Sequence, residues 1–284
     1  MNAKRIKRRK LKRPGPGKII VSVILVIYSF LAIFLIGNTI LSSFKTKSDL
    51  INNTIGWPRE FTLENFKIVL VDDGFLRCLF NSVFLVGISL LLLIAVSSMT
   101  AYGLAQYRFK GRAALQTYFL VGLMFPIQLG ILPLYIMLSR AHLTNNLFGL
   151  ALIYTANMSF PVFVFTKFFN ELPIEVIESA RVDGAGEFQI FGRIIAPISK
   201  PVIATVALLN FVTIWNDFYM PLVFLTKSSV KTLTLGVYTY TANFLANWNK
   251  VFAAATVALI PVIIVYFLFS DQIVAGLTGG AVKG

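Results

Sequence analysis

The residues of this 284-residue chain that could carry out chemistry are few and scattered. One histidine, His142, and one cysteine, Cys78, make neither a Ser–His–Asp nor a Cys–His nucleophilic site credible, and no further ligands accompany them for a metal. The chain also lacks Gly-x-x-x-x-Gly-Lys-Ser/Thr, the phosphate-binding loop of many nucleotide hydrolases. The sequence therefore predicts that this chain is not an enzyme and that it binds no metal or cofactor itself.

Most of the remaining chemistry lies in a polar stretch, residues 171–201, between hydrophobic runs. Pro173 and Glu175 suit the first turn of a helix, and Asp183-Gly184 suits its end because glycine tolerates positive φ. Phe188, Phe191, Ile194 and Ile195 then repeat at helical spacing as one apolar stripe, which Pro197 is expected to end. The pattern predicts a short helix, a glycine corner and a second short helix.

The composition explains what holds this stretch in place. Hydrophobic residues make up 57% of the chain and charged residues 13%, with a mean hydropathy of +0.77, which is typical of a polytopic membrane protein. Pro126 and Pro133 are expected to kink the third span, and Asp217 interrupts the fifth. Six spans are predicted, near residues 19–41, 78–107, 113–139, 147–166, 202–225 and 251–270.

The net charge of +14 is distributed as a membrane protein requires, rather than as nucleic-acid binding would require. Residues 1–18 hold nine Lys or Arg and are predicted to be a disordered tail that touches anionic lipid. Of the 26 Lys and Arg residues, 17 fall on the amino-terminal side of the predicted membrane, so the tail, the stretch 171–201 and both termini are expected in the cytoplasm. Residues 19–284 form the membrane domain, and a cleaved signal peptide is the alternative for the first span.

The polar stretch resembles the EAA loop of bacterial ABC-importer permeases. Its motif residues Glu178, Ala180 and Gly184, followed by Ile194 and Pro197, stand in register. Two positions depart from the usual motif by small residues: Ser179 replaces alanine and Ala196 replaces leucine. An ordinary helix-turn-helix linker between two spans is the alternative interpretation.

Further stretches are similar to the maltose-type carbohydrate permeases, specifically to the six-span subunit: 62–66 with 81–82, 215–218 with 221–222, and 276–284. The resemblance implies an all-α type I importer fold in the bacterial inner membrane. It also implies a second homologous permease that shares the pore, two ATPase subunits that hold ATP-Mg, and an extracytoplasmic sugar-binding protein.

The resemblance also assigns roles to residues. An ATPase-coupling role falls on Glu178, Ser179, Ala180, Asp183, Gly184, Ala185, Phe188, Ile194 and Pro197. Within the fifth span, polar and aromatic residues that match a sugar form a candidate substrate path: Asn210, Trp215, Asn216 and Asp217.

Three further alternatives stay open at this point. Glu178 could be part of a solvated helix face, and residues 215–217 could fix a helix break or cap a neighbouring helix. The competing function is an ion-coupled secondary transporter, which is expected to show several buried acids or inverted repeats.

Overall fold

The computed structural model describes residues 15–241 and 244–279. Most of the predicted basic tail and the end of the 276–284 stretch lie outside the described residues. Within the described ranges, all regular secondary structure is helical. The chain therefore has the all-α architecture that the sequence predicts.

Three helices are long and apolar enough to cross a membrane without a break. They are α1 (Pro16–Ser43), α4 (Phe75–Gln106) and residues 247–269 of α15 (Phe244–Gly279), which has a kink at Asn247. They contain the predicted first, second and sixth spans. The helix α1 packs along α15 and otherwise leaves its apolar side chains exposed, as a helix surrounded by lipid or by another membrane subunit does.

The other spans are broken. Helix α5 (Arg112–Gly122) meets the segment leading into α6 (Ile131–Arg140) at 97°, and α7 (Leu147–Ala156) meets α8 (Ser159–Asn170) at 49°. Residues 187–198 meet α12 (Lys200–Trp215) at 76°. When each bent pair is counted as one span, the described residues hold up to six, in agreement with the sequence.

The remaining helices are short and lie in the connections or at the span ends. They are α2 (Lys47–Asn52), α3 (Glu64–Lys67), α9 (Ile174–Val182), α10 (Glu187–Ile190), α11 (Ala196–Ile198), α13 (Tyr219–Phe224) and α14 (Leu233–Thr241). Two π-helical turns, Ile68–Asp72 and Phe191–Ile195, extend α3 and α10.

Proline placement explains one of the breaks and corrects one expectation. Pro126 lies at the sharp bend of the third span, with extended backbone just before the turn Ile127–Gly130. Pro133, which was also expected to kink this span, is instead the third residue of α6. In a first helical turn, the missing N–H of proline breaks no hydrogen bond, so Pro133 introduces no bend there.

Two apolar clusters organise the packing. The larger joins α4, α7 and α12–α15 around residues such as Leu150, Met220 and Ala253. The smaller joins the carboxyl-terminal end of α4 to α8, to the 171–201 loop and to the start of α12. The loop is therefore packed onto the membrane domain and is not a free linker.

Candidate functional site

The loop forms the predicted helix, corner and second helix. Helix α9 ends at Asp183, and Gly184 has φ +81°. The Gly184 N–H donates to the Arg181 carbonyl, and the Ala185 N–H donates to the Ala180 carbonyl, both at 3.0 Å. These two bonds are the pair that closes a Schellman motif, which requires the left-handed residue at this position.

One side of the corner is fastened to the membrane domain. Ile177, Ala180 and Ile190 are buried in the smaller cluster, together with Ile195. Ala180, to which the resemblance assigns an ATPase-coupling role, faces the chain's own interior with 7% exposure. The burial of these side chains attaches this side of the loop to the rest of the chain.

The other side of the corner is exposed. Glu178, Ser179 and Asp183 are solvent-accessible. Phe188 is 80% exposed, so it does not belong to the predicted apolar stripe; Ile190 takes the buried position instead, while Phe191 and Ile194 are half-buried. Val182, whose side chain is 87% exposed, was not singled out from the sequence. Its position on α9, away from the face that Ile177 and Ala180 bury, could have indicated this exposure.

Pro197 does not end the second helix, contrary to the prediction. It lies within the short helix α11, and the chain turns at Ser199 before entering α12. The Ser199 hydroxyl donates to the Ile195 carbonyl at 2.6 Å. Pro197 follows the π-helical turn Phe191–Ile195 inside the helical run Glu187–Ile198, and the bend falls two residues later than expected.

A group of polar side chains near the carboxyl-terminal end of α4 lies beside the corner. Glu187 accepts a hydrogen bond from the Arg181 Nε at 2.9 Å and one from the Tyr102 hydroxyl of α4 at 3.0 Å. The hydrogen bond from Arg181 is the main cause that lowers the pKa of Glu187 below its ordinary value. This contact between loop and span was not anticipated from the sequence.

A second region lies where the third and fourth spans bend and where α12 ends before α13. A cavity of about 700 Å³ is lined by residues 122–123 and 125–128 of the third span, by 154, 157, 159 and 160 of the fourth, and by 209–210, 212–214 and 216–217 of the fifth. Non-helical backbone at membrane depth must be buried in protein or face a water-filled cavity, because lipid offers no hydrogen-bond partners to its free N–H and C=O groups. The cavity lining includes amides and hydroxyls: Gln128, Tyr154, Asn157, Ser159, Asn210, Thr213 and Asn216.

Asp217 caps a helix at this break. Its Oδ1 accepts from the Tyr219 N–H at 2.8 Å and from the Met220 N–H at 3.3 Å, and its Oδ2 accepts from the Tyr154 hydroxyl at 2.8 Å. The Thr234 hydroxyl donates to its backbone carbonyl. Asp217 therefore caps a helix, as the alternative interpretation of residues 215–217 predicts. The same side chain also lines the cavity.

The other substrate-path candidates divide between two faces of α12. Asn210 and Asn216 line the cavity, and each donates one amide N–H to the carbonyl four residues earlier, which leaves the side-chain oxygen available. Trp215 is buried, stacks on Phe211 with ring centroids 5.6 Å apart, and lines a separate apolar cavity. The expectation that Trp215 joins the other three is therefore corrected, because its position on the helix points it away.

Comparison with known proteins identifies the type of chain. The family described as "Binding-protein-dependent transport system inner membrane component" matches residues 94–279. The diacetylchitobiose uptake permease of Streptomyces coelicolor is 32% identical, covering 92% of this chain and 87% of its own. An arabinooligosaccharide transport permease of Halalkalibacterium halodurans is 33% identical, covering 90% and 93%.

A solved structure supports the same fold. A bacterial ABC transporter chain involved in import of the acidic polysaccharide alginate superposes with a TM-score of 0.80 at 22% identity, covering 92% of this chain and 99% of that one. The resemblance that the EAA motif carried is confirmed, as is the type I importer fold. With the family matched over well over half of its length, this chain belongs to the inner-membrane permease components of binding-protein-dependent transport systems.

Proposed function

We propose that this chain forms half of the pore of an ABC importer for an uncharged oligosaccharide. The observation that carries the proposal is the cavity where three spans break, since its polar lining consists of amides, hydroxyls and the capping residue Asp217. Such groups both donate to and accept from sugar hydroxyls. No Lys or Arg belongs to this lining, so nothing there offers a charge to an acidic sugar.

The position of the cavity suits a translocation path. With the predicted orientation, α5 brings the chain about 16 Å inward from the cytoplasm, and α7 brings it about 15 Å from the outer surface, at 1.5 Å per residue. The hydrocarbon core is about 30 Å thick. Both breaks therefore fall near the middle of the bilayer, where a second, homologous permease would close the open side.

The coupling side of the proposal rests on the loop 171–201. Its buried residues attach it to the membrane domain, and its exposed Glu178, Asp183 and Phe188 point away. We assign Glu178 and Asp183 to charged contacts with one of two separate ATPase subunits, which hold ATP-Mg, and Val182 and Phe188 to apolar contacts. A rigid corner transmits a rigid-body movement that a flexible linker would absorb.

Reconstitution tests the function directly. The complete complex, purified with its ATPase and binding protein, is placed in liposomes with labelled diacetylchitobiose, arabinooligosaccharides, malto-oligosaccharides or alginate oligosaccharides outside. We expect ATP-dependent uptake of an uncharged oligosaccharide and none of the alginate fragments. Uptake that follows an imposed ion gradient without ATP would instead support the secondary-transporter alternative.

Membrane orientation has its own test. A reporter fused after Lys110 or within 171–201 should be cytoplasmic, and one fused near Asn53 should be external. The opposite placement of the 171–201 loop contradicts coupling to a cytoplasmic ATPase.

A further inference from the structure

The contact between the loop and the second span involves residues outside the motif by which the loop was found. Tyr102 lies one turn before the inner end of α4, Arg181 lies in the last turn of α9, and Glu187 begins α10. Glu187 thus bonds to a residue on each side of it: Arg181 at 2.9 Å through Oε1 and Tyr102 at 3.0 Å through Oε2.

The arrangement fixes an angle that apolar packing leaves adjustable. The buried side chains Ile177 and Ala180 of α9 and Ile190 of α10 are held by contacts that have no directional preference. Hydrogen bonds to a carboxylate are directional and stronger than neutral ones. A single carboxylate shared between α4, α9 and α10 therefore sets the orientation of the corner relative to the second span.

The surroundings support a positioning role. Tyr102 is buried, with its ring against Phe169 and Phe191 at centroid distances of 6.3 and 5.5 Å, so its hydroxyl has one defined direction. The Arg181 and Glu187 side chains are 38% and 41% exposed. An exposed ion pair stabilises a fold little, so this pair is better explained by what it orients than by what it adds to stability.

We propose that Glu187 is a positioning residue that latches the coupling corner to the second span through Tyr102 and to α9 through Arg181. A movement of the side chains assigned to the ATPase contact is thereby transmitted to α4 and to the pore as a rigid-body displacement. This inference rests on the proposed coupling function of the loop. It assigns no contact with ATPase or sugar to Glu187 itself.

The experiment measures transport per ATP hydrolysed in the reconstituted complex, using whichever oligosaccharide of the panel the wild type imports. Tyr102→Phe removes the hydroxyl alone, and Glu187→Gln keeps the shape of the side chain. We expect each to lower uptake about threefold to tenfold, the effect of one lost hydrogen bond at a partly exposed site, while the ATPases stay bound and hydrolyse ATP at the wild-type rate. Tyr118→Phe and Glu60→Gln, at exposed positions elsewhere, are matched controls with no change expected.

A charge exchange separates positioning from a general loss of structure. Arg181→Glu and Glu187→Arg should each lower transport per ATP, and the double variant should recover part of it because the ion pair is restored in reverse. Wild-type coupling in both Tyr102→Phe and Glu187→Gln would overturn the latch. If those variants are normal while Glu178→Lys uncouples transport from ATP hydrolysis, the role of Glu187 is wrong and the proposed function stands. If the wild type itself shows no ATP-dependent uptake, the proposed function is wrong.

Discussion

The 171–201 loop and the cavity beside Asp217 are both bordered by interrupted helices, but the interruptions are closed in different ways. At Gly184 the backbone closes itself with two hydrogen bonds, and the flanking polar side chains remain exposed. At Asp217 a side chain closes the break, and Tyr154 holds that side chain. The first arrangement leaves side chains exposed, whereas the second uses a side chain within the chain and borders a polar cavity.

The difference predicts which substitutions each region tolerates. The corner depends on one backbone conformation, so it is sensitive to Cβ atoms at Gly184 and to charge on its exposed face. The cavity depends on acceptors and donors, so it is sensitive to the loss of polar atoms. Four substitutions test this contrast, from the largest expected effect to the smallest.

Gly184→Leu should have the largest effect. An ideal Cβ at Gly184 meets no atom within 4 Å, so the penalty inside this chain is the left-handed backbone alone, about 1–2 kcal/mol. The added side chain also enters the surface assigned to the ATPase. We expect uptake to fall about tenfold or more, with ATPase subunits lost on purification.

Gly184→Asn is the matched control, because asparagine adopts positive φ more readily than other side chains. It should retain ATPase binding better than Gly184→Leu. Equal loss in both would mean that the surface, and not the backbone conformation, is what the glycine protects.

Phe188→Asp should have the next largest effect. The side chain is 80% exposed, so the folding of the chain should be unaffected, whereas an apolar contact with the ATPase would be replaced by a buried charge. Co-purification of the ATPase should fall several-fold, and Phe188→Leu should largely preserve it. An unchanged ATPase content in the Asp variant would remove Phe188 from the coupling surface.

Asp217→Ala should act on the cavity region through the helix cap. Loss of the acceptor for the Tyr219 and Met220 N–H groups costs about 1 kcal/mol, seen as a lower melting temperature of the purified complex. Asp217→Asn keeps one acceptor and should melt near the wild type. If Asn also transports normally, the carboxylate serves only as a cap; if transport changes while melting does not, its charge faces the substrate path.

Gln128→Leu should give the smallest effect, a reduction in uptake of about threefold, since a single sugar-facing hydrogen bond is lost. The change should raise the oligosaccharide concentration needed for half-maximal uptake and leave ATPase binding intact. Gln116→Leu, outside this cavity, is the control. Loss of ATPase from the Gln128 variant would show that the two regions are not separable in this way.

The sequence determined the class, the spans and the corner because these depend on local properties. Uncharged runs long enough to cross a bilayer specify spans whatever their neighbours do, and Asp183-Gly184 specifies a helix end through backbone sterics alone. The identity of the loop also followed from residue types at fixed spacing. These predictions needed no knowledge of which helices pack together.

Only the tertiary structure decided which way individual side chains face and which distant residues meet. Phe188 and Ile190 are both apolar and two residues apart, and only packing against α4 and α8 buries the second and exposes the first. Tyr102 and Glu187 are 85 residues apart, and Tyr154 and Asp217 are 63 apart. Contacts of that kind depend on how the spans pack, and no local sequence pattern predicts them.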